Sequence, residues 1–324
     1  MTGLIWGILA FLTALFISLL SGRSIIRKLK EASFGQEIRE DGPAWHKKKS
    51  GTPTMGGFIF FAGLIPASVF MLLLSKMADI TALIVLLCAV FFGIIGFSDD
   101  YIKVIKKRNL GLTARQKFLA QILVSTAFSL ILYYIKGGEV LFLTKVYNWS
   151  YFVIPLNILV LLAANNAVNL TDGVDALAGS TTFFCMAYFA FASYCTGMNA
   201  LGIVLMAVMG GVLGFLFYNR HPAKVFMGDT GSLFLGGLIG AAACASGLQF
   251  TVITAGIVFF IETLSVIIQV TYFKLTGGKR IFLMTPIHHH FEKKGWSEVK
   301  IVVVASAVTI VMGIISAIYV KMCI

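Results

Sequence analysis

Apolar residues along the chain gather into ten stretches that are separated by short polar segments. A helix needs roughly 20 apolar residues to cross the hydrocarbon core of a bilayer, and these stretches reach or approach that length, the fifth being the shortest. Inside a membrane the backbone must satisfy its own hydrogen bonds, so the pattern predicts an all-α, polytopic integral membrane protein with ten transmembrane helices. The stretches are residues 4–20, 57–75, 80–98, 118–135, 151–165, 179–196, 200–217, 232–248, 251–273 and 299–320.

The polar segments between the stretches carry most of their positive charge on one side. If all ten stretches span, all but four of the 26 Lys and Arg lie in or beside the segments that share one compartment. Because Lys and Arg accumulate on the cytoplasmic side, we expect that face to be cytoplasmic and both termini to be extracytoplasmic. The segments on that side are 21–56, 99–117, 166–178, 218–231 and 274–298, and the four exceptions are Lys76, Lys136, Lys145 and Lys321.

Composition narrows the class of protein further. A content of 58% hydrophobic and 12% charged residues leaves too little polar surface for a soluble domain. The net charge of +12 lies in short loops beside the spans, where topology explains it, so we expect no nucleic-acid partner. The five cysteines are scattered and lack CxxC spacing, which indicates neither disulfides nor a zinc site. Since no internal repeat or linker interrupts the chain, we expect a single domain over residues 1–324.

Two further patterns predict local structure. Gly210 with Gly214 and Gly236 with Gly240 have the small-xxx-small spacing that lets helix backbones approach closely, so we interpret them as packing positions. Alternating apolar residues after Gly137 and Gly138 predict a short hairpin between residues 136 and 150.

Carboxylates cluster on the predicted cytoplasmic face. Asp99 and Asp100 end the third stretch, and Asp229 stands among glycines and hydroxyl residues before the eighth. Adjacent residues on a helix point about 100° apart, so Asp99 and Asp100 should have one role each. Mg²⁺ prefers carboxylate and phosphate oxygens as ligands, so these residues are candidates for a magnesium site. The alternatives are a solvated acidic helix end at Asp99 and Asp100 and a helix cap at Asp229.

An asparagine-rich run joins the fifth and sixth stretches without any Lys or Arg. Asp172 and Asp175 either share one face of a helical turn or lie in a loop that Gly173 makes flexible. Both arrangements present oxygen atoms to a cation or a nucleoside. The alternative is a helix that begins at Asp172, which would explain one aspartate as a cap.

Histidines and lysines complete this face. Three consecutive histidines, His288, His289 and His290, cannot all reach one ion from a regular helix or strand, which disfavours a zinc site. They can donate to phosphate or carry a proton, or else form a solvated polar loop. Lysines 47–49 before the Gly-Thr-Pro-Thr-Met-Gly-Gly run suit phosphate contacts, although lysines that only set topology would look the same.

Five of these motifs, in order along nearly the whole chain, resemble the phospho-N-acetylmuramoyl-pentapeptide transferase family. The acidic motifs are shared with the wider polyprenyl-phosphate N-acetylhexosamine 1-phosphate transferase superfamily, whereas the triple-histidine and Thr-Pro-Thr-Met-Gly-Gly runs point to this branch. A small departure is Ala176, where glycine is frequent. The matching segments are residues 51–57, 99–100, 169–175, 226–229 and 286–292.

The resemblance implies an enzyme of the bacterial plasma membrane that uses Mg²⁺ as its cofactor. Such an enzyme transfers phospho-MurNAc-pentapeptide from UDP-MurNAc-pentapeptide to undecaprenyl phosphate and forms lipid I and UMP. The resemblance does not decide whether the protein forms a homodimer. The alternatives are a UDP-N-acetylglucosamine:undecaprenyl-phosphate N-acetylglucosamine 1-phosphate transferase and a secondary transporter. The transporter hypothesis is supported only by Glu262 inside the ninth stretch, because a transporter site usually lies near the middle of the membrane and the other acids lie at one interface.

The resemblance also implies roles for particular residues. Asp229 is the leading metal ligand, with Asp172 and Asp100, and Asp99 would act as base. Catalytic roles fall to Asp99, Asp100, Asp229 and His288, while direct attack and a covalent two-step route both stay open. Phe226 would stack on uracil. The implied substrate-binding residues are Lys49, Thr54, Lys103, Lys117, Asn169, Asp172, Gly173, Val174, Asp175, Asn219, Phe226, Gln269, His289 and His290.

Overall fold

A computed structural model describes residues 2–32, 51–106, 111–142 and 144–323, so Lys49 lies outside the described residues. Within these ranges the chain forms ten long α-helices, two short α-helices, one 3₁₀ turn (Ser150–Phe152) and one hairpin. The long helices are α1 (Thr2–Glu31), α2 (Gly57–Ser75), α3 (Ile80–Ile105), α4 (Ala114–Lys136), α5 (Val153–Thr171), α6 (Leu177–Cys195), α7 (Asn199–Asn219), α8 (Gly228–Ala245), α10 (Ile257–Leu275) and α12 (Glu298–Cys323). The short ones are α9 (Thr251–Ala255) and α11 (Ile287–Lys293), and the strands are β1 (Glu139–Phe142) and β2 (Lys145–Asn148).

Eight of the described helices are long and apolar enough to cross a membrane, which agrees with an all-helical polytopic membrane protein. They are α1 to α5, α7, α10 and α12. The sequences of α6 and α8 are rich in glycine, serine and threonine, and these residues lower their hydropathy. In α8 every residue from 230 to 245 is buried, so this helix needs no apolar side chains for contact with lipid.

Helix α8 lies at the centre of the bundle. It packs mainly between α3 and α5, while α7 packs mainly against α1, α6 and α2. The glycines predicted to bring helices together lie in these contacts. A Cβ on Gly210 would overlap the carbonyl oxygen of Phe11, and a Cβ on Gly236 would lie 2.6 Å from Cα of Asn165. The packing interpretation of Gly210 and Gly236 is therefore confirmed.

The predicted hairpin is also confirmed, because β1 and β2 pair in antiparallel fashion with Glu139 opposite Asn148. Its Phe142 ring contacts the rings of Trp149 and Phe250, which fixes the hairpin on the connection between α8 and α9. The ninth apolar stretch, by contrast, is not one helix. It divides into α9 and α10 at Gly256, whose φ of −103° and ψ of 26° are not helical.

Candidate active site

Three carboxylates meet at the end of the bundle where α3 ends and α8 begins. Asp99 and Asp100 lie near the last turn of α3, and Asp229 lies in the first turn of α8. Ligand oxygens of these three residues lie within 4.8 Å of one another. The close approach depends on Gly96, because a Cβ at that position would overlap the carbonyl oxygen of Asp229. The tertiary contact between α3 and α8 thus creates the acidic cluster.

Asp99 and Asp100 point in different directions, as their adjacent positions on a helix predict. Asp99 Oδ1 accepts a hydrogen bond from the backbone N–H of Leu112 at 2.8 Å, beside the start of α4. Asp100 accepts from the backbone N–H groups of Asp229 and Thr230 at 3.2 and 2.9 Å and from the Thr230 hydroxyl at 2.7 Å. Asp100 therefore caps the first turn of α8 from another helix, where a negative charge is favourable.

Two lysines neutralise most of the charge of the three carboxylates. Lys103 Nζ lies 2.6 Å from Asp99 Oδ2, 3.1 Å from Asp229 Oδ2 and 3.8 Å from Asp100 Oδ1. Lys117 Nζ lies 2.9 Å from the same Asp229 oxygen. Both ammonium groups are partly buried, so their attraction to the carboxylates is less screened than at an open surface. The cluster attracts cations and also presents positive charge to an anion.

Asn169, in the last turn of α5, holds Asp229 from the other side. Its Nδ2 donates to Asp229 Oδ1 and to the Ser232 hydroxyl, both at 2.9 Å, and its Oδ1 lies 3.4 Å from Lys117 Nζ. Side chains from α3, α4 and α5 thus all bind to the first turn of α8. The side chain of Asp229 makes no capping bond to its own helix, so the cap interpretation of Asp229 is wrong.

The connection between α5 and α6 is a tight turn beside the carboxylates. Asp172 follows the end of α5 and α6 begins only at Leu177, so a helix beginning at Asp172 is wrong. Burial raises the pKa of Asp172 to about 8, and the charges of Asp229, Asp100 and Asp175 add to this effect. Asp172 is therefore near these groups, although it is not one of the three carboxylates that share a common centre. Its role as a metal ligand stays a prediction.

Asp175 and Asn219 hold this turn against the segment that follows α7. Asp175 Oδ2 accepts from the Ala223 N–H at 3.0 Å and lies 2.9 Å from His221 Nδ1. Asn219 Oδ1 accepts from the Ala176 N–H, and its Nδ2 donates to the carbonyl oxygen of Val225, both at 2.9 Å. Their predicted contact with a nucleotide stays a prediction, because the bonds shown here are internal.

The start of α12 packs against the turn between α5 and α6. Glu298 Oε2 accepts from the Asp175 N–H at 3.1 Å, and Val174 packs with Leu177 and Ile301 in a small buried cluster. Asp175, His221 and Glu298 form the second group of three potential ligands found among the described residues.

The Thr-Pro-Thr-Met-Gly-Gly run lies directly against the residues that precede Asp229. Phe226 donates its N–H to the Pro53 carbonyl oxygen at 2.8 Å, and its own carbonyl oxygen accepts from the Gly56 N–H at 2.7 Å. Gly228 has a φ of 76°, and a Cβ there would lie 2.7 Å from Asp100 Oδ2 and 2.8 Å from Thr54 Oγ1. The structure thus brings Thr54 and Phe226 to the edge of the carboxylate cluster.

The histidine run forms the short helix α11, and each ring has its own partner. His288 Nδ1 lies 3.0 Å from Glu262 Oε2, and His289 Nδ1 lies 2.6 Å from Glu292 Oε2. His290 Nδ1 accepts from the backbone N–H of Leu283 at 3.1 Å. Partial burial, together with the charge of Lys294, lowers the pKa of His290 below its usual range. The run is therefore not a solvated loop, and its rings do not converge on one ion.

Two contacts join this region to the rest of the site. A Cβ on Gly173 would overlap Nε2 of His288, so the histidine lies against the turn after α5. Gln269 on α10 accepts from the N–H groups of Ile281 and Phe282 at 3.0 Å and donates to the Phe282 carbonyl oxygen at 3.1 Å. Gln269 thereby fixes the segment before α11, and its predicted contact with a nucleotide stays a prediction.

The structure unites most of the predicted residues but also adds four that sequence reasoning did not assign. The carboxylates, lysines and Asn169 form one cluster, and Gly173 connects it to His288. Thr230 was visible as a hydroxyl residue beside Asp229, but its bond to Asp100 was not, and His221 and Glu298 gave no motif signal, because their roles depend on partners far away in the chain. Glu262 was visible as an acid within an apolar stretch, but its partner was not. The residues of the central cluster are Asp99, Asp100, Lys103, Lys117, Asn169 and Asp229.

The polytopic helical bundle presents carboxylates and lysines at one end, a set that can bind a divalent cation and phosphate groups, and the family comparison identifies a transferase. The family model described as glycosyl transferase family 4 matches residues 82–247, which include the carboxylates, the lysines and Asn169. The match ends before α10 and α11, so it does not include Glu262 or the histidine run.

Curated relatives match nearly the whole chain and share one name, phospho-N-acetylmuramoyl-pentapeptide-transferase. The relative from Clostridium botulinum (strain Eklund 17B / Type B) is 47% identical over 308 residues, 94% of each chain. The relative from Carboxydothermus hydrogenoformans is 44% identical over 328 residues, 96% of this chain and 97% of its own. The relative from Listeria monocytogenes is 44% identical over 310 residues, 94% and 95% of the two chains. The chain belongs to the phospho-N-acetylmuramoyl-pentapeptide-transferase family, so the resemblance of its motifs is confirmed.

Ala176 gives a prediction about stability. Its φ of 66° is in the left-handed region, which disfavours residues with a Cβ and favours glycine. We expect Ala176→Gly to stabilise the protein by about 1 kcal/mol, seen as a higher unfolding temperature in detergent. The matched control is Ala178→Gly inside α6, which should lower that temperature. A lower temperature for Ala176→Gly would contradict the argument.

Lys103 gives a prediction about cation binding. Because its ammonium lies among the three carboxylates, Lys103→Gln should leave them with uncompensated repulsion. We expect Mg²⁺ to raise the unfolding temperature more in this variant than in the unsubstituted protein, since a bound cation replaces the missing charge. The exposed Lys106, one turn further on, is the control, and Lys106→Gln should respond to Mg²⁺ as the unsubstituted protein does. Equal responses of Lys103→Gln and Lys106→Gln would place the ion elsewhere.

Proposed function

We propose that this protein transfers phospho-MurNAc-pentapeptide from UDP-MurNAc-pentapeptide to undecaprenyl phosphate, forming lipid I and releasing UMP. The observation that carries the proposal is the cluster of Asp99, Asp100 and Asp229 with Lys103 and Lys117 at one end of a helical membrane bundle. Its chemistry suits a reaction between a soluble diphosphate and a lipid phosphate, which must meet where the bilayer borders water. The name shared by relatives across 94% of the chain supports the same reaction.

The proposed topology has ten spans in a single domain over residues 1–324, with both termini outside and the active face in the cytoplasm of a bacterial cell. The basic residues of the loops support this orientation. The central position of α8 supports counting it as a span, because a helix enclosed by other helices can cross without a lipid-facing surface. We count α6 in the same way, since it packs between α7 and α12.

The residues of the cluster fit a magnesium ion. Asp99, Asp100 and Asp229 supply the hard oxygen donors that Mg²⁺ prefers, and the Lys103 ammonium between them shows that a cation is favourable there. We propose Asp229 as the main ligand, with Asp100 and Asp172 assisting. When bound, the ion would neutralise charge on the diphosphate and help UMP to leave.

The residues around the ion have separate proposed roles in the reaction. We propose that Asp99 accepts a proton from the acceptor phosphate, whose oxygen then attacks the β-phosphorus of the donor. The bond between that phosphorus and the bridging oxygen breaks, and UMP leaves with this oxygen. Lys103 and Lys117 stabilise the negative charge on the phosphate oxygens. Asp100 accepts three hydrogen bonds from the start of α8, and this makes it a poor nucleophile for a covalent route.

The nucleotide would bind on the side of the cluster formed by the turn after α5 and by Phe226. Phe226 lies at the edge of the cluster, held by backbone bonds to Pro53 and Gly56, and we propose that its ring stacks on uracil. We propose that Gly173 and Val174 contact the nucleotide with their backbone. His289 and His290 would reach the sugar and diphosphate.

The direct test measures UMP release by the purified protein with undecaprenyl phosphate and UDP-MurNAc-pentapeptide, with and without Mg²⁺. We expect UMP and a lipid-linked product only when Mg²⁺ is present. A parallel reaction receives UDP-N-acetylglucosamine as the only donor and should release no UMP. Release from that donor alone would identify the protein as an N-acetylglucosamine 1-phosphate transferase and contradict the proposal.

Substitution of the main proposed ligand provides a second test. Asp229→Asn should lower the rate of UMP release by at least about a thousandfold, because the amide loses the charge that binds the ion and offsets the lysines. The control is Asp79→Asn at the start of α3, where the side chain caps Thr81 and asparagine caps equally well. The control should keep full activity, and both variants should keep their unfolding temperature in detergent within a few degrees. Full activity of Asp229→Asn would remove this residue from the metal site.

A further inference from the structure

Glu262 is a buried acid in the middle of the apolar helix α10. Its side chain is only 5% exposed, yet it is not left alone. Oxygen Oε2 accepts hydrogen bonds from the backbone N–H of His288 at 3.3 Å and from the ring Nδ1 of the same histidine at 3.0 Å. An acid within an apolar span is costly, and it usually marks a functional site or a buried partner. Here the partner is a histidine of the site.

The other ring nitrogen of His288 lacks a partner. The side chain is fully buried, and its Nε2 has no hydrogen bond to any described residue. This nitrogen lies against Gly173, where an added Cβ would overlap it. Buried polar atoms are nearly always satisfied, so a buried ring nitrogen without a partner at the edge of a site indicates a position for a ligand.

The carboxylate beside Nδ1 determines where the proton of the His288 ring lies. A carboxylate can only accept, so Nδ1 of His288 must carry a hydrogen. His290 is the opposite case, because its Nδ1 accepts from the Leu283 N–H and its neutral ring carries the proton on Nε2. His288 and His290 thus carry their ring protons on different nitrogens, because their Nδ1 atoms have different partners. Carboxylates often orient a functional histidine in this way.

We propose that Glu262 is a positioning residue that holds His288 with Nδ1 protonated and with Nε2 directed at the turn of Asp172 and Gly173. There Nε2 serves as a hydrogen-bond partner of the nucleotide substrate. The second half of this statement rests on the proposed function, whereas the orientation of the ring does not. Gly173 is part of the arrangement, because any side chain at that position would occupy the space beside Nε2.

The first test compares three substitutions of Glu262 in the full-length protein. Glu262→Met keeps a similar volume but removes the acceptor, Glu262→Gln keeps an acceptor without the charge, and Glu262→Asp keeps the charge on a shorter side chain. We expect Glu262→Met to lower kcat/KM for the UDP substrate about tenfold to a hundredfold, with Glu262→Gln and Glu262→Asp losing less. KM for undecaprenyl phosphate should change less than about twofold, because Nε2 faces the nucleotide side.

Controls separate this role from simple packing. Ser265→Ala, one turn along α10, removes a buried hydroxyl whose hydrogen bond among the described residues goes to the Glu262 carbonyl oxygen, and it should leave both constants unchanged. The double variant Glu262→Met with His288→Asn should be as active as His288→Asn alone, because Glu262 acts through His288. If Glu262 only packs α10 against α11, Glu262→Met will match the unsubstituted protein, or the two losses will multiply.

The second test needs no substrate. Nitrogen NMR spectra of the detergent-solubilised protein labelled with ¹⁵N-histidine report which ring nitrogen carries the proton, and His288→Asn identifies the signal. We expect a protonated Nδ1 for His288 in the unsubstituted protein and a changed pattern in Glu262→Met. An identical pattern in both would overturn the inference about Glu262. Absence of UMP release by the unsubstituted protein would contradict the proposed function and leave this spectroscopic result intact.

Discussion

The hydrogen bonds from the start of α8 to Asp100 are the interaction on which the rest of the site depends. Helix α8 begins at Gly228, and the N–H groups of its first turn lack partners within the helix, so α3 supplies an acceptor through the buried carboxylate of Asp100. Gly96 and Gly228 let the two backbones come close enough for these bonds. Once α8 is fixed there, Asp229 faces Lys103, Lys117 and Asn169, and the cluster of carboxylates, lysines and Asn169 is complete.

The arrangement also explains how so many charges can be tolerated at the end of a hydrophobic bundle. Three carboxylates would repel one another, but Lys103 contacts all of them and Lys117 contacts Asp229. The remaining lone pairs accept hydrogen bonds from backbone N–H groups and Asn169. A phosphate substrate that enters together with a cation can exchange partners with these lysines and carboxylates. The lysine ammonium groups can release the carboxylates and bind the phosphate oxygens instead.

A second set of contacts joins the turn between α5 and α6 to distant helices. The turn after α5 is held by Asp175, Asn219 and Glu298, and His288 closes over it with support from Glu262. Ala176 accepts a left-handed conformation so that the chain can make this turn and start α6. The turn therefore depends on α7, α10, α11 and α12 together, which is why its shape cannot be found in the local sequence alone.

The sequence by itself determined which segments are apolar enough to lie in a membrane, where the hairpin forms and to which family the motifs belong. These features depend on local composition and spacing, as with the alternating residues of β1 and β2 or the acids at Asp99 and Asp100. Only the tertiary structure decided that α8 is buried on all sides, that Gly256 divides the ninth stretch, and that Asp100 caps another helix. It alone paired Glu262 with His288. Such choices depend on contacts between residues far apart in the chain, and hydrophobic patterning does not specify which polar partners will meet.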